Sequence, residues 1–309
     1  MNHHMDPNIV MGIRSLELRA RIVVEGFRSG YNRSPRHGFS VEFSEYRQYT
    51  QGDDPRFLDW RLFARSDRSY IRRFEDETNL RCYLVMDASR SMSLGSVGYT
   101  KYDYGRTIAA ALAWMLNRQG DAVGLTLFDE SVRVIVPARY RPGQLRRLLI
   151  GLEGTPSGHE TNPAQALEIA CRRLGKRGLV ILISDLLAPV EQIERGLRLL
   201  RGCGHDFVVF QILDPLELTL SVDGPRLFED LESRLQVYSD PAGTRAGYLS
   251  RLSAHNAQIR EVCHAAGGAF RLISTESPHV TALAEFLQQR SSSRRSGPAR
   301  KQAEHTEKL

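Results

Sequence analysis

The stretch RCYLVMDASRSMS, from Arg81 to Ser93, decides the fold of this chain. Its apolar run ends abruptly at Asp87, and hydroxyl side chains follow at Ser89 and Ser91. A short, continuous apolar run bounded by polar residues is typical of a strand that is buried on both faces. The stretch therefore predicts a buried strand that carries one carboxylate and two hydroxyl groups at its C-terminal tip.

Apolar strands alternate with amphipathic helices over most of the remaining chain. Strands that alternate with helices indicate a parallel sheet with helices on both faces. The predicted fold class is therefore α/β, with a doubly wound, mostly parallel sheet of the Rossmann-like kind. The predicted strands are Arg81–Met86, Ala122–Phe128, Val132–Val136, Gly178–Ser184, Asp206–Leu213 and Ala269–Ile273, with an extended segment over Phe228–Tyr238. The predicted helices are Tyr102–Gln119, Gln144–Leu152, Pro163–Leu174, Val190–Arg201, Ala246–Ala266 and Val280–Gln289.

An N-terminal helical and extended segment, residues 1–80, precedes this pattern. Helical spacing of apolar residues predicts a helix over Ile13–Phe27. An Asp-Pro pair, which suits a helix cap and first turn, predicts a short helix over Pro55–Arg65. Short strands are expected within Phe39–Tyr49 and over Ser69–Phe74. The α/β domain is expected to follow over residues 81–289.

The net positive charge of the chain lies outside this domain. The net charge is +6, and the tail over residues 290–309 holds six Lys and Arg against two Glu, which predicts a basic, disordered tail. The block Asp53–Glu77 mixes Arg with Asp and aromatic residues. It forms either internal ion pairs or a docking face for another protein. Nucleic-acid binding is a third option, which the interleaved acids disfavour because they would repel phosphates.

The bulk composition is that of a globular protein, with 41% hydrophobic and 25% charged residues among 309. The longest apolar runs are far shorter than the ~20 residues that span a bilayer, so no membrane span is predicted. The N-terminus lacks the basic and apolar regions of a signal peptide. The four cysteines are far apart and form no CxxC pair, which indicates small buried thiols in a reducing compartment. A cytoplasmic location is predicted.

Polar side chains that could bind a ligand lie in three of the predicted loops. Asp87, Ser89 and Ser91 follow one strand, Asp185 follows another, and Thr161 lies in a loop before a helix. In open parallel sheets, ligands bind outside the carboxyl ends of the strands, at the point where strand order reverses. Carboxylate and hydroxyl oxygens suit a hard divalent cation, Mg²⁺ or Mn²⁺. Two carboxylates at most neutralise such an ion, so it would take one more anionic oxygen, such as a carboxylate of a partner protein.

The same residues resemble a known binding site. The order Asp87-x-Ser89-x-Ser91, then Thr161, then Asp185, resembles the metal-ion-dependent adhesion site (MIDAS) of von Willebrand factor A domains. All five positions match in residue type. The loop before the threonine reads GHET where relatives often have Gly-Gly-Thr, and His159 and Glu160 there would either alter access to the ion or donate a further contact. The resemblance implies a von Willebrand A-like fold over residues 81–289.

A second resemblance narrows the family. The block Gly38–Asn79, together with GDAVGLTLF (Gly120–Phe128) and LDPLE (Leu213–Glu217), is similar to the bacterial domain of unknown function 58 family. The likeness covers Leu16–Gln289. Members of that family are usually found beside MoxR-type AAA+ ATPases. The resemblance therefore implies a metal-dependent interaction module that acts as partner or adaptor of such an ATPase, and it implies no established activity.

Two other functions stay open at this stage. A metal-dependent phosphoester hydrolase would use Asp87, but aspartyl-phosphate hydrolases need a second acid where Ser89 stands. Neither GxSxG nor GxxxxGK[ST] occurs in the sequence, so serine hydrolase and ATPase chemistry are not expected. Weak nucleic-acid binding through the Arg-rich segments is the other alternative.

Overall fold

A computed structural model describes residues 6–31, 46–48, 70–72, 80–156, 163–174, 177–232 and 234–295. Its strands are β1 Tyr46–Gln48, β2 Tyr70–Arg72, β3 Arg81–Asp87, β4 Ala122–Phe128, β5 Val132–Arg139, β6 Leu179–Ser184, β7 Asp206–Leu213, β8 Arg226–Glu229, β9 Gln236–Ser239 and β10 Ala269–Ser274. Its helices are α1 Pro7–Met11, α2 Leu16–Tyr31, α3 Lys101–Arg118, α4 Gln144–Leu152, α5 Pro163–Arg173, α6 Val190–Gly202, α7 Pro215–Thr219, α8 Pro241–Ala265 and α9 His279–Arg295.

A six-stranded sheet in the order β10-β7-β6-β3-β4-β5 forms the centre of the fold. Its strands are parallel except for β5, which pairs antiparallel with β4 at one edge. The chain passes from β3 to β4 on one side and later returns to β6 on the other. Strand order therefore reverses between β3 and β6, where α/β sheets bind ligands. The predicted α/β fold class with a mostly parallel sheet is confirmed.

Side chains of the central strands alternate between two hydrophobic cores. Leu84 and Met86 of β3 face a core that also contains apolar residues of α1, α2, α3, α4 and α9. Tyr83 and Val85 face the opposite core, which contains residues of α5, α6 and α8. Because both faces are covered, these strands read in the sequence as continuous apolar runs. The paired cores hold the carboxyl ends of β3 and β6 in fixed positions.

The N-terminal helices belong to the first of these cores. Val23, Val24 and Phe27 of α2 are buried, and α2 packs on α3, which lies between it and the sheet. Helix α2 begins three residues later than the predicted Ile13 and continues past Gly30 to Tyr31. The strands β1 and β2 pair antiparallel, as short strands were expected in both places. The predicted helix over Pro55–Arg65 lies outside the described residues.

Several predicted boundaries were wrong. The segment predicted as extended over Phe228–Tyr238 is the hairpin β8–β9, and the short helix α7 was not predicted. Helix α8 begins at Pro241, five residues before the predicted start, because the Asp240 side chain caps it. Helix α9 continues to Arg295 rather than ending at Gln289, and residues 296–309 of the predicted tail lie outside the described part.

The predicted burial of the cysteines holds for three of the four. Cys82, Cys171 and Cys263 are buried, whereas Cys203 at the end of α6 is exposed, and all four are free thiols. Within the described ranges, no helix is long and apolar enough to cross a membrane.

Candidate metal centre

The loop after β3 is built around the carboxylate of Asp87, which is fully buried. Its Oδ1 accepts a 2.8 Å hydrogen bond from the backbone N–H of Ser89. This bond forms an Asx turn, a local motif that Asp side chains favour in turns. A 3₁₀ turn then covers Arg90–Ser93, and its Met92 side chain is buried. The turn thus carries both serines while Met92 anchors it to the core.

The hydroxyl oxygens of Ser89 and Ser91 lie 3.0 Å apart and share a hydrogen bond. Mg²⁺ binds six oxygen ligands in an octahedron at ~2.0–2.1 Å, which places adjacent ligands ~3.0 Å from each other. The two hydroxyls therefore have the spacing of neighbouring ligands around such an ion.

Strand β6 brings a second carboxylate to the same end of the sheet. The pairing of β3 with β6 aligns Met86 with Ile183, so Asp87 lies beside Ser184. The Ser184 hydroxyl donates a 2.6 Å hydrogen bond to Asp87 Oδ2. Asp185 follows directly and is also buried. The two acids thus meet where strand order reverses.

The electrostatics of Asp87 favour a cation nearby. Burial raises the pKa of its carboxyl from 3.8 to about 7, and the negative charge of Asp185 contributes in the same direction. Hydrogen bonds from Ser184 and Ser89 oppose this rise. A buried carboxylate beside another anion is costly to ionise unless a positive charge compensates it. The chemistry of this donor set therefore fits a hard divalent cation.

Lys101 is a cation that the sequence did not place at this site. Its ammonium group donates to Asp185 Oδ2 at 2.7 Å and to Glu217 Oε1 at 2.6 Å, and its side chain is 0% exposed. Burial lowers the pKa of Lys101, but the charges of Asp185 and Glu217 outweigh that effect and raise it. Lys101 is therefore a fixed positive charge at the edge of the candidate site.

Helix α7 joins this arrangement from the loop after β7. Asp214 caps the helix, and its backbone N–H donates to Glu217 Oε2 at 2.8 Å. The Asp214 carboxylate also accepts hydrogen bonds from the backbone N–H, at 2.9 Å, and from the hydroxyl of Ser96. Burial raises the pKa of Glu217, while Lys101 opposes the rise. The loops after β3, β6 and β7 are thus tied into one network.

The structure brings four of the five predicted site residues to one edge of the sheet, namely Asp87, Ser89, Ser91 and Asp185. The fifth, Thr161, lies outside the described residues. In the described ranges, no group of three or more His, Cys, Asp or Glu is arranged to hold a metal. An ion at this edge would therefore depend on the serine hydroxyls as well as on the two acids.

Three polar residues of the site were missed. Ser184 lies directly before Asp185 in VILISD, and this position is the signal that could have identified it. Glu217 lies in the LDPLE stretch, which was noted for its family likeness and not for a contact. Lys101 gives no local signal, because a lysine in the first turn of a helix is ordinarily exposed.

Comparison with known proteins places the chain in a family. The model of the family described as "Protein of unknown function DUF58" matches residues 45–258. An uncharacterized protein of Mycobacterium tuberculosis is 26% identical over 290 residues, which cover 92% of this chain and 90% of that protein.

Two solved structures align with this chain. The pilus adhesin SpaC from Lactobacillus rhamnosus GG aligns with a TM-score of 0.51 at 12% identity, over 82% of this chain and 35% of that one. The von Willebrand A domain of SpRpn10 aligns with a TM-score of 0.41 at 11% identity, over 66% of this chain and 93% of that one. The likeness to SpaC concerns the fold alone.

Proposed function

The chain belongs to the DUF58 family of proteins of unknown function, and we propose that it is a metal-dependent protein-interaction module. Its ligands for one Mg²⁺ or Mn²⁺ would be Asp87, Ser89, Ser91, Thr161 and Asp185. The observation that carries the proposal is the 3.0 Å spacing of the Ser89 and Ser91 hydroxyls beside a buried carboxylate. When bound, the ion would supply a Lewis-acidic position for an acidic side chain of a partner protein.

Each residue of the proposed site has a separate role in binding the ion. Asp87 contributes charge, and its two oxygens are oriented by Ser89 and Ser184. The serine hydroxyls contribute neutral oxygen donors, which leave the site short of negative charge. Asp185 contributes charge from the neighbouring strand. Because the site lacks enough anionic ligands of its own, an acidic side chain from a partner would complete it.

The partner that we propose is a MoxR-type AAA+ ATPase, with the interaction taking place in the cytoplasm. This part rests on the family resemblance seen in the sequence. The role proposed for this chain is adaptor rather than enzyme, since the residues at the site would bind and orient an ion but include no second acid at the position of Ser89.

A protein partner also suits the hairpin β8–β9. Hydrogen bonds within the hairpin lower the pKa of Glu229, and the positive charge of Arg90, in the loop after β3, lowers it further. Arg90 lies between Ser89 and Ser91, so its charge acts on the hairpin from the loop that carries them. It exposes large apolar side chains of the kind that partner surfaces bury, namely Leu227 at 59%, Val237 at 52% and Tyr238 at 72%. A partner that reaches the ion with an acidic residue would cover this hairpin as well.

Binding of the purified chain to a candidate AAA+ partner, measured with Mg²⁺ and then with a chelator, tests the proposal. We expect binding with Mg²⁺, loss of binding with the chelator, and no Mg²⁺-dependent binding by Asp87→Ala. The control is Glu261→Gln, which changes an exposed carboxylate on α8 and should bind like the wild type. Binding of Asp87→Ala in chelator at the level that the wild type reaches with Mg²⁺ would contradict a metal-bridged association.

A metal-dependent phosphoester hydrolase is the second candidate, favoured by the position of the buried Asp87 at the carboxyl end of β3, where α/β sheets bind ligands. Turnover of a generic phosphoester that requires Mg²⁺ and disappears in Asp87→Ala would favour this candidate. Absence of such turnover, together with metal-dependent binding, would favour the interaction module.

A further inference from the structure

Lys101 is a buried ammonium group within the network around the candidate metal site. The proposed ligands do not include it, yet it contacts Asp185 at 2.7 Å. Its second contact, at 2.6 Å, is Glu217 on α7. A lysine is almost never fully buried unless it is paired, and here both partners are acids. The residue therefore has a specific electrostatic role at this place.

The fold fixes this lysine firmly. It is the first residue of α3, directly after Thr100, which caps the helix. Its backbone N–H donates a 2.8 Å hydrogen bond to the carbonyl of Leu94 in the loop after β3. The loop that carries the two serines is thus tied to Lys101 by its backbone. The ammonium group in turn reaches Asp185 at the end of β6.

The charges of this network are unbalanced. Asp87, Asp185 and Glu217 carry three negative charges when ionised, and Lys101 supplies one positive charge. The net charge of −2 is opposite to that of one divalent cation, but Glu217 is paired with Lys101 at 2.6 Å and is not a proposed ligand, so the ligands themselves do not neutralise the ion. Lys101 already occupies Oδ2 of Asp185, and Oδ1 of that residue accepts a hydrogen bond from the backbone of Leu187 at 3.3 Å. Asp185 therefore has less charge to offer to an ion than Asp87 has.

We propose that Lys101 is a built-in competitor of the divalent cation for Asp185, and that it sets the affinity of the site for the ion. This inference rests on the proposed function. With Lys101 in place, Asp185 is largely neutralised, and the ion is bound more weakly than two free carboxylates would bind it. A partner carboxylate then supplies the charge that Lys101 withholds, so the ion is held firmly only in the complex. The lysine thereby makes metal binding and partner binding depend on each other.

Two substitutions should change the affinity for Mn²⁺ in opposite directions. Lys101→Met removes the positive charge and keeps an unbranched side chain, so Mn²⁺ should bind about tenfold more tightly or better. Glu217→Gln removes a negative charge near the site and leaves Lys101 with Asp185 as its only charged partner in the network. Its affinity for Mn²⁺ should therefore fall several-fold, while the Gln oxygen can still accept the N–H of Asp214.

The experiment is calorimetric titration of the chelator-stripped full chain with Mn²⁺, applied to the wild type and to both variants. Asp87→Ala serves as the variant without the site. Circular dichroism and thermal unfolding in chelator establish that each variant is folded. If Lys101→Met does not fold, the affinity of Glu217→Gln for Mn²⁺ tests the inference alone. Weaker Mn²⁺ binding than in the wild type supports the inference, and unchanged or tighter Mn²⁺ binding overturns it.

The outcomes separate this inference from the proposed function. Opposite shifts in Mn²⁺ affinity support it, including the case in which the wild type alone binds too weakly to measure and Lys101→Met binds one ion. If both variants are less stable but bind Mn²⁺ with unchanged affinity, the ion pairs of Lys101 with Asp185 and Glu217 only stabilise the fold. That result overturns the inference while Asp87-dependent binding still upholds the proposed function. Absence of Mn²⁺ binding in the wild type and in Lys101→Met alike overturns both.

Discussion

Replacement of Asp87 by Asn should stabilise the metal-free protein, although it removes a proposed metal ligand. Asn has the same shape and carries no charge, and its amide oxygen can still accept the Ser89 N–H bond. In the folded protein the pKa of Asp87 is about 7, against 3.8 for an ordinary Asp. At pH 8 the folded wild type must therefore hold a buried carboxylate ion beside Asp185 without compensation by a metal. The variant avoids that cost.

The size of the effect follows from the shift in pKa. A rise of about three units corresponds to ~4 kcal/mol at pH 8, since each unit is worth about 1.4 kcal/mol. Between about pH 4 and pH 7 the folded state retains the proton that the unfolded state has lost. The stability contributed by protonated Asp87 is therefore lost as the pH rises, by about 1.4 kcal/mol per pH unit in that window. The advantage of Asp87→Asn should grow over the same range.

The assay is urea unfolding of both proteins in chelator at several pH values from 5 to 8. We expect the variant to be the more stable protein, with a margin that widens as the pH rises. Addition of Mg²⁺ should stabilise the wild type and leave the variant unchanged, because only an ion bound to the folded state raises its stability. Asp223→Asn, at an exposed position, should show neither effect. A variant that is less stable than the wild type at pH 8 in chelator would refute the reasoning.

Three further predictions concern other parts of the molecule. Burial lowers the pKa of His279 from 6.5 to about 3. The free energy of unfolding should therefore fall by about 1.4 kcal/mol per pH unit from about pH 6.5 towards pH 3. Urea unfolding of His279→Leu should lack this acid dependence. The amide of Gln144 donates to the carbonyls of Val123 at 2.8 Å and Pro137 at 2.9 Å. Gln144→Leu should therefore lower the free energy of unfolding, measured with a chemical denaturant, by about 2–3 kcal/mol. An unchanged free energy of unfolding would mean that neither bond contributes to stability. Tyr238→Ser on the exposed hairpin should weaken partner binding at least severalfold and leave Mn²⁺ affinity unchanged in calorimetry, and equal partner binding would remove the hairpin from the interface.

The sequence was most informative where local pattern and tertiary environment agree. Strands β3 and β6 are buried on both faces, so their apolar runs are unbroken and the acids that follow, Asp87 and Asp185, mark their ends. Parallel pairing then brings those ends together without further information. Helix α4 was predicted with its observed bounds, Gln144–Leu152, because its apolar positions repeat with helical spacing.

The contacts that complete the site could not be predicted because they join distant parts of the chain. Lys101 bonds to Asp185, 84 residues away, and to Glu217, 116 residues away. Nothing near Lys101 in the sequence distinguishes it from an exposed lysine. The predicted start of helix α8 was wrong for a different reason. The Asp240 cap lies before a stretch with little apolar periodicity, so the sequence pattern placed the start of the helix too late.

The measurement that tests the central claim most directly is calorimetric titration of the chelator-stripped chain with Mg²⁺ and with Mn²⁺, alongside Asp87→Ala. We predict one ion per chain for the wild type and none for the variant. Absence of binding by the wild type at millimolar Mn²⁺, both alone and with the AAA+ partner present, would contradict a metal site at the ends of β3 and β6. Binding that is unchanged in Asp87→Ala would contradict it as well.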